Sequence, residues 1–163
     1  MNNEIGTHRM TSLTDAGEAA MGRIAVWAAY LEQNLADLVG EVLGDLRMGR
    51  AITEGMTPSR TIDLVNKLFD EVPGISPEEN QRVSATLREA KAALKDRNAV
   101  LHAQVGSAFA ADAASFSSYR RRERHSQTRT DAELDAIGER LHKVGWEIFD
   151  LAGITCNLNR QAQ

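Results

Sequence analysis

Apolar residues recur at helical spacing along most of the chain. Ile24, Ala28, Leu31, Leu35, Leu38, Val42 and Leu46 follow one another at intervals of three or four. Such intervals put them on one stripe of a long helix over 16–48, with Asp15 as N-cap and Glu18 three residues on. Gly49, Gly55 and Pro58 mark its exit. A second helix opens with Thr57 as N-cap and Pro58 at the first helical position, where a missing N–H costs nothing. Its stripe is Ile62, Val65, Leu68, Phe69 and Val72, and Pro73-Gly74 stops it. Ser76-Pro77-Glu78-Glu79 has the form of a capping box and starts a third helix carrying Val83, Leu87, Ala90, Leu94, Leu101 and Val105. Thr130-Asp131-Ala132-Glu133 repeats the signal before a fourth, with Leu134, Ile137, Leu141, Val144, Ile148, Leu151 and Leu158 in line.

Between Gly106 and Arg129 the helical period lapses, which predicts a loop or small hairpin around 107–129. Four amphipathic helices with short connections predict an all-α, up-and-down bundle, since each stripe must be buried against another. The first helix outruns its partners, which predicts a dimer. The domain spans 16–158, flanked by flexible tails at 1–15 and 159–163. Trp27, Tyr30, Trp146 and Phe149 fall on or beside the stripes and read as core or dimer contacts.

Composition narrows the classes. A chain of 163 residues, 42% of them hydrophobic, buries a core without metals or disulfides. Its longest apolar run, Ile24 to Leu31, falls far short of the roughly 20 residues that span a bilayer, so no membrane partner is expected. The first fifteen residues lack an apolar signal-peptide core, which predicts a cytoplasmic protein. The single cysteine, Cys156, excludes an internal disulfide and a Cys-based zinc cluster. No His/Asp/Glu set has metal-ligand spacing, and no Gly-rich phosphate loop or serine nucleophile elbow is present, so neither metal nor cofactor is expected.

The net charge of −4 argues against a protein that coats a nucleic-acid backbone. The average hides a local reversal: residues 120–129 hold five arginines against one acid, Glu123. Tyr119, Arg120, Arg121, Arg122 and Arg124 could hold an RNA backbone while the tyrosine stacks on a base. The alternative is a solvated loop or an edge strand blunted by charge.

The sharpest chemical signal lies where the third stripe misses a beat, at Asp96-Arg97-Asn98-Ala99-Val100-Leu101-His102. Arg97 and Asn98 stand where an apolar residue is expected between Leu94 and Leu101. A guanidinium on the shoulder of a core stripe is costly unless an anion or several acceptors meet it. One reading pairs Arg97 with an acid of a neighbouring helix, such as Glu32 or Asp37, and has His102 cap the helix end. The other takes Arg97, Asn98 and His102 together as a fixed cation, an amide and a titratable base, a set suited to a phosphate.

The segment Arg97-Asn98-x-x-x-His102, near the end of a helix in a small helical chain, resembles the R-x4–6-H signature of the HEPN family. The resemblance implies a metal-independent endoribonuclease with Arg97, Asn98 and His102 as catalytic residues; beside it, the sequence offers Glu32 and Asp96 as supporting acids. It implies attack of the RNA 2′-OH on the adjacent phosphate, leaving a 2′,3′-cyclic phosphate and a 5′-OH end. Its partners would be RNA, a second copy of the chain, and an antitoxin or regulatory protein, in defence, stress response or a toxin–antitoxin pair. Gln104 stands where one subfamily of HEPN toxins has a tyrosine two residues after the histidine. On an ideal helix Arg97 and His102 point about 140° apart, so a shared phosphate needs a helix end near His102 or a second subunit. The alternatives are a non-catalytic HEPN-like helical module that binds a protein partner or nucleotide, and a structural helical dimer in which Arg97 is a satisfied ion pair.

Overall fold

A computed structural model describes residues 13–120 and 123–161. It contains α1 (Asp15–Leu43), α2 (Leu46–Thr53), α3 (Pro58–Asp70), α4 (Pro77–Leu101), β1 (Gln104–Ser107), β2 (Ala113–Arg120), β3 (Glu123–Thr130) and α5 (Asp131–Gln161). The protein is mostly helical, but the three strands form an antiparallel sheet in the order β1-β2-β3, so the all-α expectation is corrected. Among the described residues, no helix is long and apolar enough to cross a membrane.

The expected long first helix is two. Gly44 adopts a left-handed φ of 72° and its N–H turns back to the carbonyls of Glu41 and Gly40, which closes α1. Asp45 then caps α2 by accepting from the N–H groups of Arg47 and Met48. Leu46 keeps the spacing of the α1 stripe but lies beyond the break, which is why periodicity runs through it. Packing of α2 against α1 needs two glycines. A Cβ on Gly40 would lie 2.6 Å from Cα of Leu46, and one on Gly49 would strike the backbone of Gly40. The N-cap of α1 is Thr14 rather than Asp15. Its hydroxyl accepts from Gly17 N–H at 2.9 Å and donates to Asp131 at 2.6 Å.

The capping boxes at Ser76/Glu79 and Thr130/Glu133 are both formed. Leu101 is the last residue of α4, and Val105 belongs to β1 instead of the helical stripe. The segment around 107–129, expected to be at most a hairpin, pairs Val105 with Phe116 and Phe116 with Gln127. Ala114 and Phe116 alternate inward and are buried, anchoring the sheet on the helical core. Leu13 is buried and α5 runs to Gln161; residues 1–12 of the expected N-terminal tail and 162–163 of the C-terminal one lie outside the described residues.

The short α2 also changes the parity of the bundle. Thr14 bonds to Asp131, Arg23 pairs with Asp135, Trp27 stacks on His142 at 4.0 Å, and Asn34 donates to the Gly145 carbonyl at 2.9 Å. Residue numbers rise together, so α1 and α5 run parallel, where an up-and-down bundle of four would set its first and last helices antiparallel. Ile24, Leu31, Leu35 and Leu38 of α1 meet Leu134, Leu141, Ile148 and Leu151 of α5 in one buried cluster with Val65, Phe69, Leu87 and Leu94. Trp146 and Phe149, at 47% and 54% exposed, are not core; with half-buried Trp27 and Tyr30 they form an aromatic chain on the outer edge of the α1–α5 seam.

Candidate functional site

Arg97 lies on the side of α4 that meets α1. Its guanidinium forms an ion pair with Glu32 and donates from Nη1 to the Asn98 side-chain carbonyl at 2.9 Å. The Arg97 side chain is only 13% exposed, and its Nε is buried with no hydrogen-bond partner among the described residues. Burial lowers its pKa from the usual arginine value. Glu32 is 38% exposed, but its Oε1, the atom that meets Arg97, is buried and has no hydrogen-bond partner beyond that ion pair among the described residues. Asp37, the other acid expected within reach, instead accepts from Arg50 at 2.7 Å and Gln33 at 3.0 Å.

Asp96 does not support Arg97. It accepts from Arg140 of α5 at 2.6 Å, and Arg140 also donates to Glu89 at 2.6 Å. This clasp ties α4 to α5. The Arg140 hydrogen bond draws the Glu89 carboxyl below its ordinary value, and Glu89 raises Arg140 in turn.

His102 is the exposed C-cap residue of α4, and its imidazole has no hydrogen-bond or ion-pair partner among the described residues. The structure therefore gathers Arg97, Asn98 and Glu32, while His102 stands at the helix end on another side of α4. No hydrogen bond joins Arg97 to His102 among the described residues.

Of the arginine run, Arg120 ends β2 and Arg124 and Arg129 lie on β3. Arg121 and Arg122 fall outside the described residues, and Arg120 is in register with Glu123. Tyr119 is opposite Arg124, so the two share a face of the hairpin; Tyr119 is exposed and Arg124 donates to the Ser117 hydroxyl at 3.2 Å. Arg129 is separate from them. It binds Gln127 at 3.1 Å and Glu133 at 3.6 Å, at the start of α5.

A cleft of about 360 Å³ separates α4 from the hairpin, with Lys95 and Ala99 on one wall and Phe116, Ser118, His125 and Gln127 on the other. The Gln127 amide donates to the Ala99 carbonyl at 3.3 Å and pins β3 to α4 there. Sequence reading singles out neither Lys95 nor Gln127, because a lone lysine on a helix and a lone glutamine in a strand carry no motif. The only signal is weak: Lys95, Ala99 and His102 are spaced by four and three, so they share one stripe.

Among the described residues, no group of three or more His, Cys, Asp or Glu is placed to hold a metal ion. No family model matches the chain, and no curated protein or solved structure matches it either.

Proposed function

We propose that the protein is a metal-independent endoribonuclease of HEPN type, acting as a homodimer in defence, stress response or a toxin–antitoxin pair. The observation that carries this reading is a mostly buried arginine, hydrogen-bonded to Asn98, five residues before an unpartnered imidazole at a helix end. In the reaction, an RNA 2′-oxygen attacks the adjacent phosphorus while one histidine takes its proton. The bond to the 5′-oxygen breaks, and a second acid returns a proton to that leaving group. Arg97 stabilises the charge that grows on the phosphoryl oxygens. A second copy of the chain supplies the complementary group, which accounts for the divergence of Arg97 and His102 on one helix.

The test is incubation of purified protein with mixed RNA in EDTA. Cleavage to 2′,3′-cyclic phosphate and 5′-OH ends is expected, with loss of activity in Arg97→Ala and His102→Ala variants that stay folded. The Arg97–Glu32 pair favours a second reading, a non-catalytic helical module that binds a protein partner or nucleotide. RNA left intact under every condition, by a protein that is a dimer, supports that one instead.

A further inference from the structure

We infer that the cleft between α4 and the β2–β3 hairpin is a binding site for a nucleoside phosphate, either a free nucleotide or one unit of an RNA chain. Its chemistry is one-sided. Lys95 and His125 face each other across a space whose described lining contains no carboxylate, in a chain with a net charge of −4. Lys91, one turn earlier on α4, pairs with Asp63 at 3.1 Å, and Lys143 of α5 pairs with Glu147 at 3.8 Å, whereas the exposed Arg47, Arg60, Lys67, Arg82 and Arg88, which line no such carboxylate-free cleft, have no ion-pair partner among the described residues. Lys95 has no such partner among the described residues. An ammonium left unpaired beside an imidazole and the Ser118 hydroxyl is a ready set of donors for phosphoryl oxygens.

The remaining walls suit the rest of a nucleotide. Phe116, nearly all of it buried, underlies the cleft, and the small Ala99 leaves room above it. The volume, about 360 Å³, lies within the range of about 300–1,000 Å³ usual for small-ligand pockets and is larger than a lone phosphate needs. The site is also held in shape, since Gln127 bonds to Ala99 and takes a hydrogen bond from Arg129. The stripe that bears Lys95 and Ala99 runs on toward His102 at the end of α4, which does not itself line the cleft. Binding of this kind needs no cleavage chemistry and stands or falls separately from it.

The experiment is a calorimetric titration of the full chain with three probes: inorganic phosphate, uridine 5′-monophosphate, and a 2′-O-methyl uridine hexamer, which the proposed reaction cannot cut. The nucleotide or the hexamer is expected to bind at least tenfold more tightly than phosphate. Whichever binds more tightly identifies the source of the ligand. Lys95→Ala and His125→Ala each weaken that binding at least tenfold, Ser118→Leu blocks it from the sheet side, and Lys91→Ala leaves it unchanged. Melting curves verify that each variant is folded, and three variants on two different walls keep the outcome readable if one is not. Equal binding by folded Lys95→Ala and His125→Ala variants overturns the inference, and phosphate binding as tightly as the nucleotide overturns its nucleoside part. Cleavable RNA left whole by the unaltered chain, while the hexamer still binds, removes the nuclease reading alone.

Discussion

Arg97 and Glu32 form one ion pair, but the two side chains are not equally replaceable. Solvent reaches Glu32 through atoms other than its buried Oε1, so Arg97→Met leaves behind an acid that water still touches on one side, and the methionine restores the missing beat of the α4 stripe. Its effect on stability is expected to stay within about 1 kcal/mol, with any RNA cleavage abolished. Glu32→Ala instead strands a mostly buried guanidinium and is expected to cost about 2 kcal/mol. Urea denaturation of both variants checks the asymmetry; a large destabilisation in Arg97→Met would make the arginine a structural residue. The sequence places Arg97 on the shoulder of the core with Glu32 as one of two candidate partners, because a gap in an apolar stripe is a one-dimensional signal. The choice between Glu32 and Asp37 is not legible there. It depends on α2 folding back to bring Arg50 to Asp37.

At the scale of elements, the helix starts are readable because a capping box is chemically local. Glu79 and Glu133 reach back to backbone N–H groups of Ser76 and Thr130, and those bonds hold both carboxyls below their ordinary value of 4.5. A carboxyl lowered on folding contributes stability above its unfolded pKa and loses it as the pH falls through the folded one. Glu89 follows the same rule through Arg140. The urea midpoint is therefore expected to fall as the pH is taken from about 7 to below about 4, and Glu79→Gln with Glu133→Gln to flatten that fall. The α1–α2 break is invisible because Leu46 stays in phase across it, and the close approach that enforces it involves glycines, which have no hydropathy to read. Gly49→Ala should cost about 1–3 kcal/mol by driving α2 off Gly40. Gly22→Ala, at an open position within α1, should stabilise by about 0.5–1 kcal/mol, and paired melting curves test both. The sheet escapes notice since only Ala114 and Phe116 of β2 carry its inward pattern, among serines. Its hairpin carries the arginines, so Arg120→Ala with Arg124→Ala should reduce the salt slope of RNA binding by about 0.7 for each phosphate that these side chains neutralise. An unchanged slope would leave those arginines as solvated edge charges.

For the whole molecule, the apolar stripes establish that the chain is mostly helical, but not how the helices are ordered in space. Register between α1 and α5 is set by particular polar contacts, Thr14 to Asp131 and Asn34 to Gly145, that no periodicity predicts. The parallel arrangement has a further consequence for how the chain reaches its native state. The partners in its largest interface are more than a hundred positions apart, so the α1 stripe is only partly covered, by α3 and α4, until α5 has left the ribosome. Closing so long a loop precedes any reward from burial, which slows folding and leaves the nascent first helix greasy on one side. Chaperone capture of that segment during synthesis, ending abruptly once residues 131–154 emerge, is the kinetic signature this topology imposes.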